Sequence, residues 1–245
     1  MNNPRITFLC AASLLLALPL SAEVGIPDYV PVKINQTVDP VYPRSLVEGG
    51  IRSGIACVAV SIDDTGRLAD YLVTGYSHPR FAENAVAALK KWTFEPAQLH
   101  GSPRNCEADL TFRFEVEGVV VVSLTPFSAN ELFRYMIVPN SAAYSAASPR
   151  QLDRTPTPTK IVNPVYPTEL ARDSRGGHVS VDFYIDEEGH VRMPSVSLET
   201  NEANENLAAI AVTTIGQWEF APPTSKGRPV VMLARQDFEF RPAKL

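Results

Sequence analysis

"DPVYPRSLVEGG", residues 39–50, and "NPVYPTELARDSRGG", residues 163–177, decide the fold, because the chain writes one opening twice. In each, Pro-Val-Tyr-Pro leads into a short polar stretch that ends in glycine. Working outward, the later landmarks repeat as well. Tyr42 and Tyr166 lie 124 residues apart, Gly66 and Gly189 lie 123 apart, and Trp92 and Trp218 lie 126 apart. A period that drifts by so little places its insertions in turns, and a period this long means whole domains rather than solenoid units of about 20 to 50 residues.

Within each copy the hydrophobic period reports the element. Pro43 and Pro167 suit the first turn of a short helix that closes at Gly49 or Gly176. Ala56, Val58, Val60 and Ile62 then alternate, as do Val179, Val181, Phe183 and Ile185, which predicts a strand with one buried face. "DDTG" (Asp63 to Gly66) and "DEEG" (Asp186 to Gly189) supply hairpin turns into second strands, Leu68 to Val73 and Val191 to Val196. After these the period becomes helical. Phe81, Ala85, Leu89 and Trp92 form one stripe, with Ser77 and Pro79 as start signals, and Leu207, Ala211, Ile215 and Trp218 form the other. These aromatics are core positions. Past "WTFEPA" or "WEFAPP", a glycine turn leads to a last strand ending in Phe112, Arg113, Phe114 or Phe238, Glu239, Phe240.

The expected class is α+β. Two tandem small domains each carry a helix on one face of a three-stranded antiparallel sheet, with the other face left to water. The expected boundaries are a signal peptide over 1–22, an N-terminal extension over 23–37, a first domain over 38–117, a linker with a short strand and helix over 118–159, and a second domain over 160–245. Val119 to Leu124 reads as a strand added to the first domain, Asn130 to Val138 as a short helix, and the Pro-, Ser- and Ala-rich Pro139 to Thr159 as the interdomain connection.

Ile6 to Leu20 is an apolar run behind Arg5, with Ser21 and Ala22 at its end, which is the layout of a secretory signal cleaved after Ala22. An uncleaved anchor is the competing reading, although a spanning helix needs about 20 apolar residues and Pro19 interrupts this run. Export removes Cys10 and leaves Cys57 and Cys106 as a pair in an oxidising compartment, hence an expected disulfide. Strand parity opposes it: Cys57 faces away from the helix and Cys106 toward it, unless a bulge before Leu110 restores the register. Both readings stand at this point.

The chain's 45% hydrophobic and 20% charged residues, with a net charge of −5, fit a folded protein with no electrostatic footprint for nucleic acid. Catalytic signatures are missing: there is no Gly-x-Ser-x-Gly, no His-Glu-x-x-His and no phosphate loop. His78, His100, His178 and His190 never fall as close pairs, and Asp63 to Gly66 lacks the further oxygen ligands of a calcium loop. No enzyme, cofactor or metal site is expected.

Taken in order, Pro-x-Tyr-Pro (Pro40 to Pro43), the glycine-led alternating strand and turn (Gly54 to Leu68), Ala-Leu-x-x-Trp-x-Phe-x-Pro-Ala (Ala88 to Ala97), Gly-x-Pro (Gly101 to Pro103) and Phe-x-Phe (Phe112 to Phe114) resemble the C-terminal domain of the TonB energy-transducer family. The resemblance covers residues 38–116 and 160–241. Copy two departs from it in Val212 to Gly216, poorer helix formers, and in Pro194 within its second strand. The resemblance implies a periplasmic module that receives an extended segment of an outer-membrane receptor, which adds to a sheet edge by backbone hydrogen bonds. By that analogy the binding edges are Arg104 to Phe114, with Arg104, Glu107, Asp109, Thr111 and Arg113, and Val230 to Phe240, with Val231, Leu233, Arg235 and Asp237. The partner implied is an envelope protein, either a TonB-dependent receptor or a transducer component. A structural envelope protein contacting peptidoglycan and an anchored energy transducer are the alternatives. Against the transducer, residues 23–39 as a spacer would reach only about 50 Å at about 3.1 Å per residue, and the apolar segment holds no histidine for a proton-driven motor.

Overall fold

The computed structural model describes residues 29–116, 118–126, 143–165, 176–197 and 205–241. The expected signal peptide, the helix over 130–138 and the short helical turn of the second copy fall outside these residues. In chain order the elements are β1 (Tyr29–Val30), β2 (Lys33–Gln36), α1 (Arg44–Glu48), β3 (Ser53–Ile62), β4 (Leu68–Tyr76), α2 (Pro79–Leu89), β5 (Thr93–Glu95), β6 (Ala97–Leu99), β7 (Ser102–Arg104), β8 (Cys106–Glu115) and β9 (Gly118–Pro126). After them come β10 (Tyr144–Ser145), β11 (Pro158–Lys160), β12 (Gly177–Ile185), β13 (Val191–Val196), α3 (Glu205–Ile215), β14 (Glu219–Phe220), β15 (Thr224–Ser225), β16 (Arg228–Pro229) and β17 (Met232–Phe240).

The repeat shows in matched detail. Val58, Val60 and Ile62 on β3 meet Phe81, Ala85 and Leu89 on α2 in one core, and Val181, Phe183 and Ile185 on β12 meet Leu207, Ala211 and Ile215 on α3 in another. Trp92 and Trp218 close each core from the edge, and each indole donates to a backbone carbonyl, Val38 at 2.9 Å and Val162 at 2.8 Å. Both hairpin turns are held by an aspartate. Asp63 accepts from the N–H of Thr65 and Arg67, and Asp186 from those of Glu188 and His190. Gly66 and Gly189 follow with φ of +80° and +93°, and a Cβ on either would stand 2.0 Å from a carbonyl oxygen, of Phe94 or Phe220. Only glycine fits there, in conformation and in space.

Helix α2 starts at Pro79, one of its two start signals, but its cap is not Ser77. His78 is the cap and accepts from Arg80 N–H through Nδ1 at 3.2 Å, while Ser77 turns its Oγ to the N–H of Ile55. Pro194 is accommodated in β13 by a register shift between Asp182 and Tyr184, with Met193 at φ +50°. A proline belongs at such an irregularity in an edge strand.

Two expectations change. First, the sheet of the first repeat has five strands rather than three, in the order β10-β4-β3-β8-β9, whereas that of the second is β13-β12-β17. Second, the sheet faces turned from the helices are not simply left to water. Ala59, Tyr184, Met193 and Val231 bury together, flanked by Leu72, Tyr144, Ala146 and Leu233, so residues of both repeats share a third core. Arg192 grips Asp70 across this contact (Nε to Oδ2 3.1 Å) and reaches the carbonyl of Tyr71, and the Tyr184 hydroxyl lies 3.4 Å from Asp109. A repeat of about 80 residues has a marginal core alone; burial between the repeats adds to it.

The expected disulfide is not formed: Cys57 and Cys106 are both free and buried. Cys57 lies opposite Thr111 and Cys106 opposite Ile62, five positions further along β3. That is about 17 Å of strand, against the roughly 4 Å between Cβ atoms that a bridge requires. Burial pushes the Cys57 thiol up to about 11, against the opposing hydrogen bond with Thr111.

Candidate functional site

A strand edge is a line of backbone donors and acceptors, so what matters is which strands already have two neighbours. β8 has two. It pairs with β3 from Ser53↔Glu115 to Ile62↔Cys106, and with β9 from Glu115↔Gly118 to Ala108↔Pro126. The structure therefore places Glu107, Asp109, Thr111 and Arg113 on an interior strand, not on a receiving edge. Arg104 ends β7 and pairs with Ala97 in a small separate sheet. Glu107 and Asp109 turn to the face shared with the second repeat, and burial pushes the Glu107 carboxyl up to about 7.

β17 differs. Its inner side pairs with β12 without a register shift, from Gly177↔Phe240 to Ile185↔Met232. On its outer side, among the described residues, no strand lies alongside, and the one bridge is that of Ala147 with Met232 at its start. Ala147 N–H donates to the carbonyl of Val231 at 2.7 Å. Because successive residues of a strand turn their backbone groups to opposite sides, this contact fixes the parity and sets the N–H and C=O of Leu233, Asp237 and Glu239 along the outer side. The expected edge residues of copy two are thus brought together, with Val231 covered by the chain itself.

Side chains on β17 are anchored on both faces. Met232, Phe238 and Phe240 bury on the helix side. On the other, Arg235 holds Asp182 (Nε to Oδ1 2.7 Å) and Asp237 accepts from the Ser180 hydroxyl at 2.6 Å. Beyond them Glu239 pairs with Arg241 at 2.7 Å in full exposure, which holds its carboxyl below the ordinary range. The result is a rigid backbone rail whose chemistry is the peptide group.

The segment 144–153 straps the two repeats. Tyr144 and Ser145 pair with Tyr76 and Gly75 on β4, and the Tyr144 ring stacks on Tyr76 at 5.1 Å. The Tyr144 hydroxyl donates to Glu187 and accepts from Val231 N–H, and Asp153 caps the β15–β16 turn at Lys226 and Gly227. Sequence reasoning missed this strap. Its one signal is Tyr144 itself, a large aromatic set in "SAAYSAAS". Among the described residues, three potential metal donors come together only at Asp186, Glu188 and His190. There Asp186 is already bound by two backbone N–H groups and has the Arg192 guanidinium at 3.5 Å, which is the chemistry of a hairpin turn. No helix among the described residues is long and apolar enough to cross a membrane.

Comparison with known proteins bears on both repeats. The model of the family described as Gram-negative bacterial TonB protein C-terminal matches residues 38–116 and again residues 162–242. The solution NMR structure of the Pseudomonas aeruginosa TonB C-terminal domain is similar at 28% identity over 38% of this chain and 92% of its own, with a TM-score of 0.32. No curated protein matches.

Proposed function

The chain belongs, twice over, to the family of the Gram-negative bacterial TonB protein C-terminal domain, a family of protein-interaction modules rather than enzymes, and from that premise we propose that it works in the periplasm as a strand receiver, taking an extended segment of an envelope protein along the outer edge of β17. The observation that carries the reading is the contrast between equivalent strands: among the described residues β8 has a neighbouring strand on each side, and its counterpart β17 has one. Strand addition draws its affinity from main-chain hydrogen bonds, and a straight, shift-free strand anchored on both faces offers them in register. A TonB-dependent receptor is the partner class that the family suggests, with transport as the setting. The N-terminal apolar run serves export, and cleavage after Ala22 releases the two repeats.

The test uses a pair of variants. Asp237→Ala and Asp237→Pro both lose the Ser180 contact, but only the proline lacks the outward N–H. With a photo-crosslinking residue at position 239 in cells, the adduct with the envelope partner persists in Asp237→Ala and is lost in Asp237→Pro. An adduct that survives the proline sinks the reading.

A further inference from the structure

One end of the first sheet and the helix of the second repeat enclose a groove that neither repeat forms alone. Its volume of about 490 Å³ falls within the range of about 300–1,000 Å³ usual for ligand sites. One wall is polar, with Asp64 in the β3–β4 turn and Arg104 and Asn105 at the junction of β7 and β8. Asn105 Oδ1 accepts from the N–H of Asp64 at 2.9 Å, so the turn and the junction form one piece. The other wall is apolar, with Val196 at the end of β13 and Ala208, Ala209 and Val212 on α3. Leu207, Ala211 and Ile215 fill the core beneath this helix, and Ala208 and Val212, four residues apart, share the flank beside them. The polar wall is not repeated: 126 residues on, Val230 and Val231 stand where the first repeat has Arg104 and Asn105.

We propose that this groove binds the carboxy-terminal end of a peptide whose last side chain is apolar. Charge and donor pattern select that occupant. Arg104 is exposed, and among the described residues its guanidinium has no ion-pair partner, so it is free to clamp a carboxylate through two parallel N–H donors. The Asp64 carboxylate repels that group, which sets the direction of the chain in the groove. Asp64 accepts a backbone N–H of the peptide, and Asn105 Nδ2, left over from the bond that Oδ1 makes, donates to a backbone carbonyl. A fatty acid or other simple carboxylate offers partners to neither. Val196, Ala208 and Val212 are half-buried and cover the last side chain of the peptide. Because the walls come from different repeats, an occupant stabilises their docked arrangement. β17 and β13 flank β12 on opposite sides, so this site stands whether or not the β17 edge receives strands.

The probe is the peptide Ser-Ala-Val-Leu with a fluorophore on its amino end, made as the free acid and as the carboxamide and titrated against the full chain by fluorescence anisotropy. The free acid is expected to bind about tenfold or more tightly than the carboxamide, since charge-assisted bidentate contacts are the stronger ones. Arg104→Gln is expected to erase that difference and to leave carboxamide binding as it was. On the other repeat, Ala209→Glu keeps a good helix former and sets an anion on the apolar wall, and it is expected to weaken the free acid about tenfold. Both positions are exposed, so both variants keep the fold. Equal affinity of the two probes for the wild type, a preference that survives Arg104→Gln, or no binding of the free acid at about millimolar probe overturns the proposal. An Ala209→Glu chain that binds like the wild type overturns it too, because the carboxylate is then held by the first repeat alone. So does octanoate, should it displace the probe as well as the unlabelled peptide does, since the groove then reads a simple carboxylate and not a peptide end.

Discussion

The two repeats build one skeleton and finish it differently. Each has the same aspartate-glycine hairpin, the same helix stripe, the same tryptophan bonded to a carbonyl near its Pro-Val-Tyr-Pro opening, and the same last strand. Yet in the first repeat added strands cover the outer strands of the repeated unit, β9 along β8 and the two-residue β10 at the end of β4, while among the described residues no strand lies outside β17 or β13 in the second. A repeat can thus be copied whole and still divide its labour, because pairing at an edge depends on what chain lies beyond the copied unit.

The largest effect tests the shared skeleton. Gly66→Ala and Gly189→Ala each force a Cβ to 2.0 Å from a carbonyl oxygen at a positive φ, and each is expected to cost about 2–4 kcal/mol in chemical denaturation. Equal costs sharpen the equivalence, and a mild Gly189→Ala would break it.

Next comes the back face, where the repeats diverge. Glu107 stands where the second repeat, 126 residues on, has Leu233. Burial pushes this carboxyl up to about 7 from an ordinary 4.5. Between those values the folded state holds the proton and the unfolded chain does not, so wild-type stability falls as pH rises from about 4.5 to about 7 and then levels off. Glu107→Gln flattens that slope, and at pH 8 it is expected to be more stable than wild type by about 1–3 kcal/mol. Parallel pH profiles for the two proteins would refute the burial argument.

A smaller effect reports on the contact between repeats. Arg192 holds Asp70 and is part-buried with it, so Arg192→Ala should cost about 1–2 kcal/mol. The double variant with Asp70→Asn should cost less than the sum of the singles, because the two share one interaction. Strict additivity would mean that the repeats do not depend on this pair. Last, the thiols should show no energetic signature at all. Native protein reacts slowly with alkylating reagent at pH 8, since burial raises both thiol pKa values, and unfolded protein takes label on Cys57 and Cys106 without a reductant. A reductant requirement would restore the disulfide.

Much of this was legible. Alternation gave β3 and β12, the helical stripe gave α2 and α3, and Asp-x-x-Gly gave the turns, because each signal acts within a few residues. Val119 to Leu124 could be read as an added strand, but the consequence could not: that its partner is β8, and that the edge expected there is consequently filled. Counting by twos along β3 and β8 argued against the disulfide, and the register between them settled it. The strap at 144–153 was hidden, since small polar residues carry no period and its bonds run to β4 and Val231, far along the chain.

By itself, then, the sequence determined the repeat, the main strands, helices and turns within it and its family, since periodicity, turn chemistry and glycine sterics are local properties written in adjacent residues. Which edges are covered, which faces of the sheets meet, and why two cysteines in paired strands stay apart were decided by tertiary structure alone. Those depend on the pairing of segments tens of residues apart, where strand register rather than side-chain identity chooses the neighbour.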